Sequence, residues 1–395
     1  MPKAPALALA SLIALPLALF SAPAQAAAEP EEDLRLLAEQ RGLSLAEARA
    51  RYGWQEAFAA VAAQAERRFP AQFAAASIGD GAASIAFKGE IPEEAAALAA
   101  RVPAPVKLLA HQGYSRAELK ATLEAQHHRI LNEPGIAHVT SYHHPGTGAI
   151  TIEAVPASKP ADPEALRARL QPAQTLRSGI TVSVKLAETA SGGDDAARGS
   201  VAYLRGGGML NLPSGKSHCT AGFVVKTANG TGITTAHHCA DAGIDTLRYY
   251  RHGSSGSDYT VVSKRTALPR QYGDVIWYSR GTYTPSPTFH HTWDHTRDVL
   301  GTGTAVPGQD LCHFGRSTGR VCSTVHSLDV CRDGYCGLTA TADRSAAPGN
   351  SGGPWYYGNT AYGIHKGHGV FDGADRDLFT PIGALSHLNV SVLTP

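Results

Sequence analysis

A length of 395 residues points to more than one domain, and the composition changes between the two halves of the chain. The net charge is +1 at pH 7, from 35 Lys and Arg residues against 34 Asp and Glu residues, and the chain contains no run of basic residues. This balance excludes an electrostatic case for nucleic acid, or for another polyanion, as a partner.

The N-terminus has the pattern of a secretory signal peptide. Lys3 precedes an apolar stretch over residues 6–20, and Ala24-Gln25-Ala26 offers small residues at the spacing of a cleavage site. The apolar stretch is too short for a membrane anchor and is soon followed by acidic residues, and no other segment could span a bilayer. We therefore predict a signal peptide over residues 1–26, no membrane association after its removal, and a secreted protein that is extracellular or, alternatively, periplasmic.

Helical and strand patterns alternate in a cysteine-free region, residues 27–187. Ser44 with Glu47 and Ser115 with Glu118 have the spacing of capping boxes, in which serine and glutamate satisfy each other's free amides at the start of a helix. Strands are predicted at Ser84–Phe87, Val106–Leu109, Ala149–Ile152 and Ile180–Leu186. We predict a small α/β domain here, followed by a polar, glycine-rich linker with a processing site over residues 188–200.

The second half of the chain has a different character. After about residue 200 the composition turns to Gly, Thr, Ser and Val, in short strands separated by turns, which predicts an all-β region over residues 201–395. All six cysteines lie in this half, between Cys219 and Cys336. An even number of cysteines in one region of an exported chain indicates disulfides, although the sequence alone leaves their pairing open.

One serine of this half lies in a glycine frame, Ala347-Pro348-Gly349-Asn350-Ser351-Gly352-Gly353-Pro354. Glycine lets the backbone turn without a Cβ clash, so the amides of Gly349 and Ser351 could point at one carbonyl oxygen, as in an oxyanion hole. A glycine-rich chain can contain such a motif by chance, and Ser191-Gly192-Gly193 in the linker is a similar triplet. The motif therefore needs catalytic partners.

A serine nucleophile needs a histidine to take its proton and usually a carboxylate to orient that histidine. His238 follows an apolar run over residues 232–236, which we interpret as a strand, and Asp274 precedes the apolar strand predicted at residues 275–278. The paired histidines of the chain lack a metal-binding spacing, so no metal site is predicted. The alternatives are His237 as the base and Asp258, Asp294 or Asp298 as the carboxylate.

The order His238, Asp274, Ser351, with a cysteine directly after the histidine, resembles the chymotrypsin-like serine proteases. Further stretches resemble the bacterial secreted group of streptogrisins and α-lytic protease. Residues 219–225 are similar to its first core strand, residues 312–322 to its small cystine hairpin, and residues 379–392 to its C-terminal helix and final strand. The resemblance covers about residues 201–395.

This resemblance implies an all-β catalytic domain over residues 201–395, made of two six-stranded antiparallel β-barrels. His238 and Asp274 would lie on the first barrel, up to about residue 280, and Ser351 on the second, from about residue 301. It implies that His238 takes the proton of Ser351, that Asp274 orients His238, and that the amides of Gly349 and Ser351 form the oxyanion hole. No cofactor is expected, the partners would be protein or peptide substrates, and the protein would be a monomer.

The resemblance also selects a disulfide pairing. It pairs Cys219 with Cys239 and Cys312 with Cys322, which leaves Cys331 and Cys336 for a tight clip that departs from the family pattern.

The substrate pocket is expected to include Ser345, His365, Lys366 and Gly367. Ser345, at the expected base of the pocket, is neutral and argues against a preference for Lys or Arg. The Gly363-Ile364-His365 stretch resembles glutamyl-specific endopeptidases, in which such a histidine binds the substrate carboxylate, so we predict a preference for Glu or Asp before the scissile bond. Two residues depart from the family: Asn350, where many relatives have Asp, and Lys366, where relatives normally have Ser or Trp.

The α/β region over residues 27–187 resembles the pro-regions of the same group, which act as folding catalysts and inhibitors and are then removed. Antiparallel barrels fold slowly because their contacts are distant in sequence, and a template lowers that barrier. The alternative is an independent binding domain that stays attached. For the whole protein, the alternatives are a protease-like binding protein with lapsed catalysis, indicated by Asn350 and Lys366, and an esterase with the same triad.

Overall fold

A computed structural model of the protein describes residues 25–79, 82–158, 160–171, 179–187, 203–251 and 257–395. Most of the predicted signal peptide and the whole predicted linker over residues 188–200 lie outside this part of the chain. The α-helices of the described residues are α1 (Gln25–Arg41), α2 (Leu45–Tyr52), α3 (Gln55–Arg68), α4 (Ala95–Ala99), α5 (Arg116–Leu131) and α6 (Pro163–Leu170). Within these ranges, no helix has both the length and the hydrophobicity needed to cross a bilayer.

The helices combine with six strands in an N-terminal unit. The strands are β1 (Phe73–Gly79), β2 (Ala82–Phe87), β3 (Val106–Leu109), β4 (Ile136–His143), β5 (Ala149–Pro156) and β6 (Thr181–Leu186). Strands β1, β2 and β3 form one sheet, and β4, β5 and β6 lie side by side in another. Both predicted capping boxes are present, because Ser44 and Ser115 accept hydrogen bonds from the amides of Glu47 and Glu118. The α/β composition predicted for this region is observed.

Strand β7 (Tyr203–Gly206) precedes the first barrel. The strands of the first barrel are β8 (Met209–Asn211), β9 (Ser217–Thr220), β10 (Val224–Thr227), β11 (Gly230–Thr235), β12 (Thr246–Tyr250), β13 (Tyr259–Ala267) and β14 (Ile276–Ser279). Its hydrogen-bonded order runs from β10 through β11, β14, β13, β12 and β8 to β9. Since β9 and β10 are two halves of one bent segment, the sheet closes with six strands. The interior is filled by Leu210, Val224, Ile233, Leu247, Val262 and Ile276.

The remaining strands form the second barrel and its connections: β15 (Thr284–His290), β16 (Thr296–Asp298), β17 (Gly301–Thr302), β18 (Asp310–Gly315), β19 (Gly319–Arg332), β20 (Tyr335–Thr341), β21 (Pro354–Tyr357), β22 (Thr360–Phe371), β23 (Ala374–Pro381) and β24 (Ser391–Val392). The order is β18-β21-β22-β23-β20-β19, and a further pairing of β19 with β18 closes it. The prediction of two six-stranded antiparallel barrels is confirmed. Strand β24 returns to the first barrel and pairs with β10.

The three disulfides join the predicted pairs: Cys219 with Cys239 and Cys312 with Cys322, which the family resemblance selected, and the remaining pair, Cys331 with Cys336. The first closes a loop over a sequence separation of 20 and joins β9 to the 3₁₀ helix His237–Gly243. On the chain-entropy model such a bridge stabilises the fold by about 3 kcal/mol. It fixes the backbone next to His238.

The N-terminal unit contacts the second barrel by strand pairing. Strand β4 pairs antiparallel with β19, with Cys331 opposite Ser141 and Arg332 opposite Thr140. The sheet of β4, β5 and β6 thereby continues the sheet of the second barrel at the tip of the β19–β20 hairpin. The Cys331–Cys336 disulfide closes this tip.

Helix α1 makes a second, separate contact with the same barrel. Leu34 and Leu37 are buried in one apolar cluster with Tyr357 of β21. Next to them, the fully buried Asp33 accepts hydrogen bonds from Arg297 Nη1 at 2.6 Å and from the amide of Gly358 at 2.8 Å. Burial raises the pKa of Asp33, which the positive charge of Arg297 opposes. Removing one partner of such a pair leaves a buried charge and costs about 3–5 kcal/mol.

Candidate active site

Three predicted residues meet where the two barrels touch. Strand β11 ends at Thr235, and His238 lies in the first turn of the following 3₁₀ helix rather than on the strand itself. Asp274 lies just before β14, and Ser351 lies in the turn before β21. Hydrogen bonds between the barrels here include those from the Thr220 amide to the Ser351 carbonyl and from the Asp274 amide to Thr380 Oγ1.

A continuous chain of hydrogen-bond distances joins these three side chains. Asp274 Oδ2 lies 2.6 Å from His238 Nδ1, and its Oδ1 accepts the backbone amide of His238 at 3.0 Å. His238 Nε2 lies 2.9 Å from Ser351 Oγ. Because Asp274 holds both the ring and the backbone of His238, it fixes the orientation of the imidazole toward Ser351.

Asp274 is fully buried, yet it is held as a carboxylate. Burial by itself would raise its pKa, but the charges of His238 and Lys366 and the hydrogen bonds from His238 outweigh burial and hold the pKa of Asp274 well below its ordinary value. The carboxylate is therefore ionised over the whole physiological pH range.

The alternative carboxylates of the sequence analysis have other surroundings. Asp258 pairs with Arg251, and both Asp294 and Asp298 are exposed. His237 precedes His238 in the same 3₁₀ helix, but it is His238 that bridges Asp274 and Ser351. The geometry thus brings together the three residues that the sequence favoured.

The glycine frame around Ser351 is held by side chains of the second barrel and of β9. Gly349 has a φ of +120°, a conformation that favours glycine. Ser317 Oγ donates to the Pro348 carbonyl, and Thr220 Oγ1 donates to the Gly349 carbonyl. In a trans peptide the N–H points away from its C=O, so the bond to Pro348 also fixes the direction of the Gly349 amide.

Asn350, the departure next to the nucleophile, has neutral partners. Its fully buried side chain accepts the Ser317 amide at 3.0 Å, donates to Thr318 Oγ1 at 2.6 Å and lies 3.2 Å from His313 Nε2. Burial lowers the pKa of His313 to about 3, so His313 is a neutral acceptor. An asparagine satisfies this site without a counter-ion. Sequence reasoning missed His313, because only the fold brings it to Asn350.

The expected pocket residues have two distinct environments. Ser345 is half-buried, and its amide and hydroxyl donate to Asp377 Oδ2 at 2.7 and 2.8 Å. Burial raises the pKa of Asp377 to about 6. His365 is fully buried: its Nδ1 accepts from Trp355 Nε1 at 3.2 Å, and its ring lies 4.9 Å from that of His313. Asp377 carries a charge next to Ser345 that sequence reasoning missed.

Lys366 and Gly367 were both predicted to line the wall of the pocket. Gly367 is a buried residue of β22, but the side chain of Lys366 has a different partner. The side chain of Lys366 is largely buried and its Nζ lies 3.2 Å from Asp274 Oδ2. The negative charge of Asp274 explains why the ammonium is buried here, because attraction between the two charges offsets part of the free energy that the ammonium loses when it leaves water. The backbone carbonyl of Lys366 accepts from Ser351 Oγ at 2.9 Å.

Two closed barrels with a serine, a histidine and an aspartate in contact at their junction are the arrangement of a serine protease. No protein-family model matches the chain. Known proteases do: the chain is 30% identical over 177 residues to Serine protease 2 of Streptomyces fradiae, across 41% of this chain and 92% of that protein. The chain belongs to the chymotrypsin-like serine proteases, in the bacterial group that includes the streptogrisins.

Other relatives have the same range of similarity. Glutamyl endopeptidase 2 of Streptomyces griseus is 29% identical over 192 residues, across 47% of this chain and 98% of that protein. Streptogrisin-C of the same organism is 27% identical over 192 residues, and the match covers 40% of its length. Among solved structures, Thermobifida fusca Protease A is 27% identical and aligns with 49% of this chain and 100% of that chain, with a TM-score of 0.40.

Proposed function

We propose that the chain is a secreted serine endopeptidase, made as a precursor, which hydrolyses peptide bonds through an acyl-enzyme on Ser351. The observation that carries this proposal is the hydrogen-bonded chain from Asp274 through His238 to Ser351. Membership of the serine protease family supports it, and the three disulfides fit an oxidising, extracellular environment. Protein or peptide substrates are its proposed partners.

In the proposed reaction, His238 Nε2 takes the proton of Ser351 Oγ while the oxygen attacks the substrate carbonyl. Asp274 stabilises the imidazolium that forms. The amides of Gly349 and Ser351 donate to the oxyanion, each contributing roughly 3–4 kcal/mol to the transition state. His238 then protonates the leaving amine, and water, activated by the same histidine, releases the acyl group and restores Ser351.

The alternative of a protease-like binding protein without catalysis was based on Asn350 and Lys366. Neither residue disrupts the contact between the aspartate, the histidine and the serine of the candidate site. Asn350 has hydrogen-bond partners for its buried amide, and Lys366 pairs with Asp274. An active enzyme is therefore the better proposal. An esterase would use the same three residues, and the distinction lies in the substrate that is cleaved.

Two groups favour opposite preferences before the scissile bond. His365 and the similarity to Glutamyl endopeptidase 2 favour Glu or Asp, which is the preference we propose. The Asp377 carboxylate beside Ser345 favours a cationic side chain, and because its pKa is raised to about 6 this effect requires a pH above that value.

Digestion of casein and of a peptide library by the secreted product, with mass-spectrometric mapping of the cleavage sites, tests both activity and preference. We expect internal peptide bonds to be cut, mainly after Glu or Asp. Cleavage after Lys or Arg would assign the preference to Asp377, and cleavage after large apolar residues would discard both charged assignments. Hydrolysis of small esters with no cleavage of casein would favour the esterase.

We further propose that residues 27–187 are a pro-region that assists folding of residues 201–395 and inhibits the product. Two contacts support this role: the pairing of β4 with β19, and the buried pair of Asp33 with Arg297. Both involve the second barrel, which pairs strands far apart in sequence, such as β18 with β21 and β20 with β23. A bound template for these strands would lower the folding barrier and leave a kinetically stable protease.

Refolding of residues 201–395, with and without added residues 27–187, tests the folding role. We expect active protease only when the N-terminal unit is supplied. Asp33→Ala in that unit should weaken its docking by about 3–5 kcal/mol, because Arg297 is left buried and unpaired. Glu39→Ala, an exposed position of the same helix, is the control and should refold the protease as the unchanged unit does. Full activity of residues 201–395 refolded alone would contradict this role.

A further inference from the structure

Lys366 contacts two of the three residues that the proposed reaction uses. Its Nζ lies 3.2 Å from Asp274 Oδ2, the oxygen that also faces His238 Nδ1, and its backbone carbonyl accepts from Ser351 Oγ. The ammonium is therefore part of the same charge system as the carboxylate and the imidazole.

A β-bulge aims this side chain. His365 pairs with Phe379 and Gly367 pairs with Leu378, so Lys366 is an extra residue of β22 without a partner on β23. Bulges re-aim the side chain of the extra residue, and they are common next to active sites. On its other side the ammonium lies 4.6 Å from the centre of the Tyr335 ring, within cation–π range. The position of the charge is thus defined by contacts on two sides.

We propose that Lys366 is a positioning residue of the proposed reaction, whose ammonium holds the Asp274 carboxylate and keeps His238 neutral, and so able to act as a base, in more acidic solution. The inference rests on the proposed function and concerns the pH range over which the enzyme works.

The sign of the effect follows from the charges. A carboxylate beside an imidazole stabilises the imidazolium and raises the pKa of the histidine, whereas a cation that neutralises this carboxylate lowers it again. A unit charge roughly 6 Å away, at an effective dielectric constant of about 20, changes a pKa by about one to two units. Because the free base takes the serine proton, a lower pKa extends activity toward acid.

Other titratable groups face this cluster and could add to the profile. On β22, burial holds the pKa of His365 well below its ordinary value, and His368 pairs with Asp375. From β18, His313 has its pKa lowered to about 3. Arg270, which precedes Asp274 in the chain, lies over the ring of Tyr335, the ring that Lys366 also contacts. Lys366 is the cation in direct contact with Asp274.

The test is the pH profile of kcat/KM on a peptide substrate, with protein produced from the full chain. We expect the acid limb of the wild-type profile to have a lower midpoint than that of a neutral variant at this position. In Lys366→Met the midpoint should rise by about one pH unit or more. Lys366→Arg, which keeps the charge, should keep the wild-type midpoint. Lys226→Met removes an exposed charge on the first barrel and is the matched control.

Lys366→Gln is a second neutral variant for the case in which Lys366→Met does not fold. A neutral variant with the wild-type midpoint, a neutral variant whose kcat/KM falls by the same factor at every pH, or a raised midpoint in Lys366→Arg would overturn the inference. These outcomes leave the proposed function intact. The proposed function itself fails if the wild-type protein cleaves no peptide, or if Ser351→Ala cleaves as well as the wild type.

Discussion

Replacement of Ser351 by alanine should lower kcat for peptide hydrolysis by about 10⁶-fold, the scale found when a triad serine is removed. The hydroxyl is the group that attacks, and its oxygen lies 2.9 Å from His238 Nε2. The substitution removes one oxygen from a fully buried position, so the fold should persist. Single-turnover and steady-state rates of the purified variant, with circular dichroism as a check on folding, measure the effect.

Ser391→Ala is the matched control for this loss. It removes the same hydroxyl group from an exposed position of β24, within the proposed protease. Its substitution should leave kcat unchanged. A residual rate of roughly 10³–10⁴-fold over water in Ser351→Ala would agree with binding and the oxyanion hole acting alone. Equal rates for the wild type and Ser351→Ala would rule out the proposed nucleophile.

Asp274→Asn should have the second largest effect, a fall in kcat of about 10⁴-fold at neutral pH. An amide can turn its NH₂ group toward His238 Nδ1, which favours the tautomer that carries its proton on Nε2 and cannot accept from Ser351. In this protein the substitution also leaves the Lys366 ammonium without its carboxylate. The rate of peptide hydrolysis from neutral to alkaline pH measures the effect.

Asp294→Asn is the control for Asp274→Asn, because Asp294 was an alternative carboxylate in the sequence and is exposed in the structure. It should keep wild-type activity. A larger loss in Asp294→Asn than in Asp274→Asn would contradict the assigned role. Since the pKa of Asp274 lies well below its ordinary value, activity of the wild type that is lost in mildly acidic solution does not report protonation of Asp274.

Much of this architecture could be predicted because it depends on local patterns. Ser44 and Ser115 start helices through contacts within one turn, and short alternating runs define strands wherever one face is buried. The order of His238, Asp274 and Ser351 and the cysteine spacing then selected a barrel topology, which the strand order confirms.

The rest depends on contacts between residues far apart in the chain. The bulge that turns Lys366 toward Asp274 is set by the pairing of β22 with β23, and no sequence period marks it. Asp377 meets Ser345, and Asn350 meets His313, only after the second barrel closes. Asp33 and Arg297, 264 positions apart, carry no mutual signal in a single sequence.

The pairing of β4 with β19 has a consequence for solubility. Separation of the N-terminal unit would expose backbone groups of Arg332 that this pairing satisfies, together with the apolar surface on which Leu34 and Leu37 lie. Free strand edges invite pairing with other chains and aggregation. Strand β4 pairs with only Cys331 and Arg332 of β19, so the paired edge that separation would free is two residues long. Very short edges limit edge-to-edge pairing, so the separated protease would offer a poor template for intermolecular sheets.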